Sequence, residues 1–276
     1  MRRFLLAVLW RVALLLPMAL LPALMRADST GRQLLFQWRG PIPVPDDLVL
    51  LGIDEASLDS QLSRFGPWPW PRAQQASLAR EVLKKGARCV VFNIVHAGPS
   101  SFGPDDDKGF HDVLKPWKDK VLLSASLVRQ QWEGFEQIQL RRPWDESFQA
   151  GLSAFSIDSF GIVQAVPGME RLEDMLAPFP RPHPRPMAHL AADSATASVD
   201  DGINFLGPSR LIPVVPAWSL GSESEDAWQN KIVIIGSTAP SLGDQLETPF
   251  GQQSGSEVLL SAIASLQSGH GFRTLG

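Results

Sequence analysis

Two apolar segments separated by an amphipathic helix constrain the fold of this chain more than any other feature. Leu48–Asp54 and Arg88–Val95 are apolar along most of their length, which is typical of strands covered on both faces of a sheet. Between them, Arg72–Gly86 has apolar residues at helical spacing and ends at a glycine that suits a helix C-terminus. This order predicts a βαβ unit with a right-handed crossover. The sequence therefore favours an α/β domain with a largely parallel central sheet and flanking helices.

The sequence Trp-Pro-Trp-Pro-Arg at residues 68–72 lies just before that helix. Each proline fixes φ and lacks an N–H donor, so we expect Trp68 and Trp70 to lie on a stiff, extended segment. Two interpretations stay open for the two indoles. They either pack into one edge of the core or form a rigid aromatic lip that contacts a ligand. Arg72 is expected to form an ion pair with Asp54 that braces this segment.

Polar side chains follow the apolar segments where strands are predicted to end. Ligands of open α/β sheets bind beyond the carboxyl ends of the strands, so these side chains are candidates for binding. A third buried strand, Ile232–Thr238, breaks into a polar turn whose hydroxyls and backbone N–H groups could hold a ligand. The predicted ligand-binding residues are Asp54, Trp68, Trp70, Arg72, Asn93, Ser237, Thr238 and Asp244.

Short motifs recur along the chain in a recognisable order. They are Leu51–Leu58, Trp68–Arg72, Gly86–Ala87, Val90–Ile94, Ile203–Pro208, Lys231–Thr238, Gly243–Asp244, Thr248–Pro249 and Ser256–Gly269. Together, over roughly residues 30 to 270, they resemble the second type of CHASE domain, the extracellular sensory module associated with bacterial cyclases and histidine kinases. The chain departs from the family at Asn93, where an Asp is usual, and the missing charge weakens a metal site there.

The N-terminus holds a long apolar stretch, residues 4–25, which follows two arginines and is interrupted by one arginine and two prolines. About 20 mostly apolar residues are enough to span a bilayer. A retained transmembrane helix is the preferred interpretation, and a cleaved signal peptide is the alternative, although Leu24–Ala27 is a poor cleavage site. We therefore divide the chain into residues 1–27, a membrane anchor or uncleaved signal, and residues 28–276, an extracytoplasmic sensory domain.

Composition excludes several classes of protein. The formal net charge is −4 and no basic stripe is present, so we expect no nucleic-acid partner. Cys89 is the single cysteine, which excludes an intramolecular disulfide and a multi-cysteine zinc cluster. No hydrolase or metalloprotease motif is found, so we predict no enzyme activity, no catalytic residue and no cofactor. Two alternatives remain: a metal-dependent hydrolase that uses acids such as Asp54 and Asp244, or a degenerate structural module.

The resemblance implies the function and the topology. It predicts a sensory domain of a bacterial signal-transduction system, with the N-terminus inside and the globular part in the periplasm, held by a single pass through the inner membrane. The expected ligand is an unidentified small molecule. In the family, membrane helices and a cytoplasmic output domain normally follow the sensor. Because this sequence has no output motif, we expect it to act through a separate signalling protein or by self-association.

Overall fold

The computed structural model describes residues 29–59, 66–132, 135–269 and 272–273. The predicted membrane segment, residues 1–27, lies outside these ranges. Within them, no helix has the length and apolar character needed to cross a bilayer.

The described residues form an α/β domain. Its α-helices are α1 (residues 29–39), α2 (Glu55–Leu58), α3 (Arg72–Lys84), α4 (Pro104–Leu114), α5 (Met169–Leu176), α6 (Met187–Ala191) and α7 (Gly255–Ser268). Its strands are β1 (Leu48–Ile53), β2 (Cys89–Asn93), β3 (Val121–Trp132), β4 (Phe135–Arg141), β5 (Gln149–Leu152), β6 (Ser156–Ile157), β7 (Val163–Val166), β8 (Arg185–Pro186), β9 (Asp201–Gly202), β10 (Val215–Pro216), β11 (Ile232–Ser237), β12 (Gln245–Thr248), β13 (Gly251–Ser254) and β14 (Phe272–Arg273).

The central sheet has the order β10-β1-β11-β2-β3-β5-β8, and every neighbouring pair in this order is parallel. Strand β4 adds to it by pairing antiparallel with β3. Two smaller antiparallel sheets consist of β12 with β13, and of β14, β9, β7 and β6 in that order. The predicted α/β class with a largely parallel sheet is therefore confirmed.

The predicted strand–helix–strand unit is present as β1, α3 and β2, but its two strands are not neighbours. Strand β11, from near the end of the chain, lies between them and pairs with both. Its residues Ile232–Ile235 are all buried, as expected for a strand with neighbours on both sides in the interior of the sheet. Local sequence patterns predict the type of each element, whereas its position in the sheet depends on contacts between distant segments.

Alternation along the strands divides the core between the two faces of the sheet. Leu51 and Ile53 point to the face covered by α3 and α4, while Leu48 and Leu50 point to the face covered by α7. Both faces are thus buried, which explains why β1 is apolar at nearly every position.

Two further segments have less regular sequences. Helix α4 begins at Pro104, and Asp105–Asp107 form its first turn. Their carboxylates suit the positive end of the helix dipole there. The region between residues 129 and 150 has no clear period, yet it contains the end of β3, all of β4 and the start of β5. The first half of β3 pairs with β2 and β5, whereas residues from Ser126 onward pair with β4 and form a hairpin.

Candidate functional site

The carboxyl ends of three central strands lie side by side. In the parallel register, Ile53 of β1 pairs with Ser237 of β11, and Gly236 of β11 pairs with Asn93 of β2. Of the predicted binding residues, Asp54, Asn93, Ser237 and Thr238 therefore follow or end adjacent strands. This edge of the sheet is where ligands of open α/β folds bind.

Asn93 is the centre of a polar network at this edge. Its Nδ2 donates to Ser256 Oγ at 3.1 Å, and its Oδ1 accepts from Ser153 Oγ at 3.1 Å. Ser153 Oγ is also 2.8 Å from Ser124 Oγ, which donates to the backbone oxygen of Phe92 at 2.7 Å. The hydroxyls of Ser124 and Ser153 have one proton each but take part in three contacts. The Ser153 hydroxyl can therefore donate to either Asn93 Oδ1 or Ser124 Oγ. Asn93 and Ser153 are only partly buried, so this network reaches the surface.

Gly236 lets the first turn of α7 approach this strand edge closely. A Cβ atom at Gly236 would lie 2.2 Å from Ser256 Oγ and 3.0 Å from the Cβ of Asn93. The start of α7 is also fixed by a capping box, in which Ser254 and Glu257 satisfy each other's backbone N–H groups. The hydroxyl of Ser256 is therefore positioned by the helix and held against Asn93.

Thr238 and Asp244 add polar groups just beyond β11. The backbone N–H of Thr238 donates to Ile53 at 3.0 Å, while its buried Oγ1 has no hydrogen-bond partner among the described residues. Burial raises the pKa of the Asp244 carboxyl, and the Gly255 N–H opposes that shift. The same carboxylate lies against Gly255, where a Cβ would be 2.6 Å from Oδ1. Ser237, also partly buried, donates only weakly to a nearby carbonyl oxygen at 3.4 Å.

Asp54 has a structural role at the start of α2. Its Oδ1 accepts from the backbone N–H of Ser57 at 2.8 Å and lies 2.6 Å from the Ser57 hydroxyl, which makes it the N-cap of the helix. The predicted ion pair between Asp54 and Arg72 is wrong. Arg72 pairs instead with Asp107 at 2.7 Å.

The start of α4 explains why Arg72 has a different partner. Asp106, in the first turn of α4, accepts the backbone N–H groups of Arg72 and Ala73 at 2.9 Å each and so caps α3. The guanidinium of Arg72 also donates to the backbone oxygen of Gly98 at 2.9 Å. Contact between the N-termini of α3 and α4 thus places an acidic turn beside Arg72, which no local sequence pattern predicts.

The Trp-Pro segment packs mainly into the core. Trp70 is 1% exposed, belongs to the core beneath α3, and donates from Nε1 to the backbone oxygen of Gly66 at 3.0 Å. Trp68 is half-buried and meets Trp70 edge-on, with ring centroids 5.5 Å apart. Trp70 therefore packs into the core, as the first of the two interpretations predicts, and does not form a freely exposed aromatic lip.

The structure thus separates the predicted binding residues into two groups on opposite faces of the sheet. Asn93 contacts the start of α7, and Asp244 lies against Gly255 of the same helix. Ser237, the last residue of β11, alternates with Val233 and Ile235 and so points to the face covered by α3, where Trp68, Trp70 and Arg72 also lie. Asp54 caps α2 and belongs to neither group. Sequence reasoning missed Ser124, Ser153 and Ser256. Two signals were available in the sequence. Ser124 interrupts the apolar strand β3, and Ser256 lies at the start of an apolar helix.

The acidic residues considered for a hydrolase have separate surroundings in the part of the chain that the structure describes. Among the described residues, no group of three or more His, Cys, Asp or Glu side chains is arranged to hold a metal ion. His96 is buried, with Nε2 3.0 Å from Gln75 Oε1, and His111 pairs with Asp145 at 2.7 Å. Asp54 and Asp244 have the separate surroundings described above, so the geometry gives the metal-dependent hydrolase no support.

The comparison with known families identifies the domain. The CHASE2 domain family model matches residues 6–274, nearly the whole chain, which confirms the resemblance seen in the sequence. No curated protein and no solved structure matches the chain. The chain belongs to the CHASE2 domain family, a family of extracellular sensory domains.

Proposed function

We propose that this protein is an extracytoplasmic sensory domain, anchored in the inner membrane by its N-terminal segment, that binds a small polar molecule. Membership of the CHASE2 family supports the sensory role and the location outside the cytoplasm. The apolar stretch at residues 4–25 supports the anchor.

The binding site proposed is the carboxyl edge of β2 and β11, facing the start of α7. The observation that carries this proposal is the hydrogen-bond network of Asn93. It places the Asn93 amide and the Ser153 hydroxyl at a partly buried strand end, and the Ser153 hydroxyl can donate to either Asn93 or Ser124. The Oγ1 of Thr238 is buried beside Gly52 of β1 without a hydrogen-bond partner among the described residues, and a ligand that entered there would supply one. A ligand that satisfied these groups would recover hydrogen bonds that the free protein leaves incomplete.

The chemistry of this edge favours an uncharged, hydroxyl-rich ligand such as a sugar or polyol. The side chains of Asn93, Ser153 and Thr238 can each donate and accept hydrogen bonds. A ligand hydroxyl can do the same, so the two kinds of group are complementary. Arg72, the one cation among the predicted binding residues, has its guanidinium paired with Asp107 on the face of α3. Burial also raises the pKa of Asp244, which favours its neutral form. An anionic ligand would find no counter-charge in this group of side chains.

The location can be tested by labelling in intact cells. Trp218 is 42% exposed, and a Trp218→Cys variant of the full chain offers a thiol on the surface of the domain. We expect a membrane-impermeant maleimide to label this variant without cell lysis. The unchanged chain gives the background, because burial raises the pKa of the Cys89 thiol to about 12 and so disfavours the reactive thiolate. Labelling only after lysis would contradict the proposed location.

A further inference from the structure

Helix α1 is fixed to the domain by one face. Phe36 meets Phe205 and Phe250 edge-on, with centroid distances of 5.6 and 5.9 Å. Arg39 donates to Asn204 and lies over the Phe36 ring, with Cζ 4.9 Å from the centroid. Both rings and charge thus hold α1 on the body of the domain.

The opposite face of α1 is apolar and open to solvent. Leu34, Leu35 and Trp38 are 59%, 64% and 88% exposed. Leu34 and Trp38 are one helical turn apart, and Leu35 lies beside them, so the three form a continuous surface. The exposed positions of this helix bear no charge, because Arg32 and Arg39 turn toward the domain, where Arg32 donates to a glutamine of β7 at 2.7 Å.

We propose that this outer face of α1, formed by Leu34, Leu35 and Trp38, docks on the surface of the phospholipid bilayer that holds the N-terminal segment. The inference rests on the anchoring proposed above. Three residues, 26–28, separate the apolar stretch from α1, and they reach about 10 Å when fully extended. Helix α1 adds about 16 Å, so the outer face cannot move far from the membrane.

The side chains themselves suit the interface between lipid and water. An indole has an apolar body and a polar N–H, and tryptophan is enriched at the level of the lipid headgroups. Leucines beside it would enter the outer part of the acyl region, as in helices that lie in the plane of the membrane. The charged side chains of α1 stay with the domain and do not face the lipid.

The small size of this face favours lipid over a second copy of the chain. Stable protein interfaces bury about 1,200–2,000 Å² in total, and three side chains supply a few hundred Å² on each partner. A bilayer needs no such minimum, because the anchor already holds the helix at a high effective concentration next to the lipid. Docking would also fix the orientation of the domain, since α1 is joined to β7, and β7 shares its sheet with β9 and β14.

The test places a fluorescent label at position 38 of the full chain. Trp38→Cys, labelled with an environment-sensitive dye, is reconstituted into nanodiscs with and without lipids brominated near the headgroups. The matched control is Trp218→Cys, which replaces an exposed tryptophan of a segment that packs on the opposite face of the central sheet. We expect the label at 38 to be blue-shifted and to lose most of its emission to the brominated lipid, while the label at 218 loses none.

Two results would overturn the docking of α1. One is a label at 38 that stays accessible to a water-soluble quencher although the chain has entered the nanodisc. The other is a label at 38 whose emission is blue-shifted but is not quenched by brominated lipid. If that shift also disappears in discs that hold a single copy of the chain, the partner of α1 is a second copy. Co-flotation of the full chain with vesicles reports on the anchor separately. A chain that does not float contradicts the anchor itself, whereas a floating chain with an unquenched label contradicts the docking alone.

Discussion

The amide of Asn93 donates to the hydroxyl of Ser256 at 3.1 Å, which joins the end of β2 to the first turn of α7 across 163 residues of sequence. This contact brings the middle of the chain and its C-terminal helix together at the edge of the sheet. It also leaves the other side of the Asn93 amide bound to Ser153, a half-buried hydroxyl. The proposed site is therefore built from segments that only the folded domain brings together.

A double-mutant cycle measures this contact. We expect Asn93→Ala and Ser256→Ala to show a coupling of about 1 kcal/mol in the free energy of unfolding, since each removes one partner of a single hydrogen bond. Urea unfolding of the full chain in detergent gives the values. Ser237→Ala is the control, because its hydroxyl donates a long hydrogen bond, at 3.4 Å, to the backbone oxygen of Ala239 and points to the opposite face of the sheet from Ser256, so its coupling to Asn93→Ala should stay below about 0.5 kcal/mol. Equal coupling for both pairs would refute the specific contact.

Gly236→Ala should destabilise the domain by overpacking. The added methyl group would lie 2.2 Å from Ser256 Oγ, so we expect a loss of about 1–3 kcal/mol in the free energy of unfolding. Ser256→Gly, made in the same chain, should recover part of that loss. The control is Gly221→Ala, where a methyl group meets no atom within 4 Å and stability should hardly change. The close approach of α7 would be wrong if both alanine variants behaved alike.

Trp70→Ala should be among the most damaging single substitutions. The indole is fully buried beneath α3, and its removal leaves a large cavity that costs about 3–5 kcal/mol. Trp218→Ala, at an exposed tryptophan, should cost about 1 kcal/mol or less. The denaturant midpoints of the two variants, compared with that of the unchanged chain, measure both losses of stability. A mild effect of Trp70→Ala would contradict the buried position of this indole and favour the exposed aromatic lip.

His96 should make the domain less stable in mild acid. Burial, together with the nearby charge of Arg72, lowers the pKa of His96 from 6.5 to about 4. Between these values the unfolded chain takes up a proton that the folded chain excludes, so the free energy of unfolding falls as pH falls, by about 3 kcal/mol in total. His96→Gln should remove this part of the pH dependence while keeping an N–H donor for Gln75. Urea unfolding at pH 7 and pH 4.5 measures the difference.

A control for the pH prediction is His183→Gln, in the loop that precedes β8. It removes a histidine whose Nε2 contacts the backbone oxygen of Phe179 at the surface of the domain. We expect this variant to retain the acid sensitivity of the unchanged chain. If His96→Gln retained it as well, the titration of His96 could not be its cause.

The strands and helices with strong patterns could be predicted from the sequence. The elements β1, α3, β2 and β11 all lie within two residues of their expected bounds, because continuous apolar runs and helical spacing depend on local burial. Membership of the family followed from the order of short motifs. The position of β11 between β1 and β2 could not be predicted, since it depends on which distant strands pair.

The candidate site was predictable only in part. Asn93, Ser237 and Thr238 were found because parallel strands end at a common edge. The partner of Arg72 was missed, because Asp107 reaches it through the packing of α4 on α3. Ser153 and Ser256 were missed for the same reason: a serine becomes informative when tertiary contacts show which groups surround it.

The most direct test of the account is a thermal-shift titration of the full chain in detergent with glucose, ribose and inositol, and with phosphate and succinate as charged comparators. At 100-fold excess over its dissociation constant, a ligand should stabilise the folded domain by about 2.7 kcal/mol. We predict that at least one uncharged probe raises the Tm of the unchanged chain and of Gly221→Ala, and has no effect on Asn93→Leu. Ligand binding at Asn93 would be contradicted if no uncharged probe raised the Tm, or if Asn93→Leu kept the full shift.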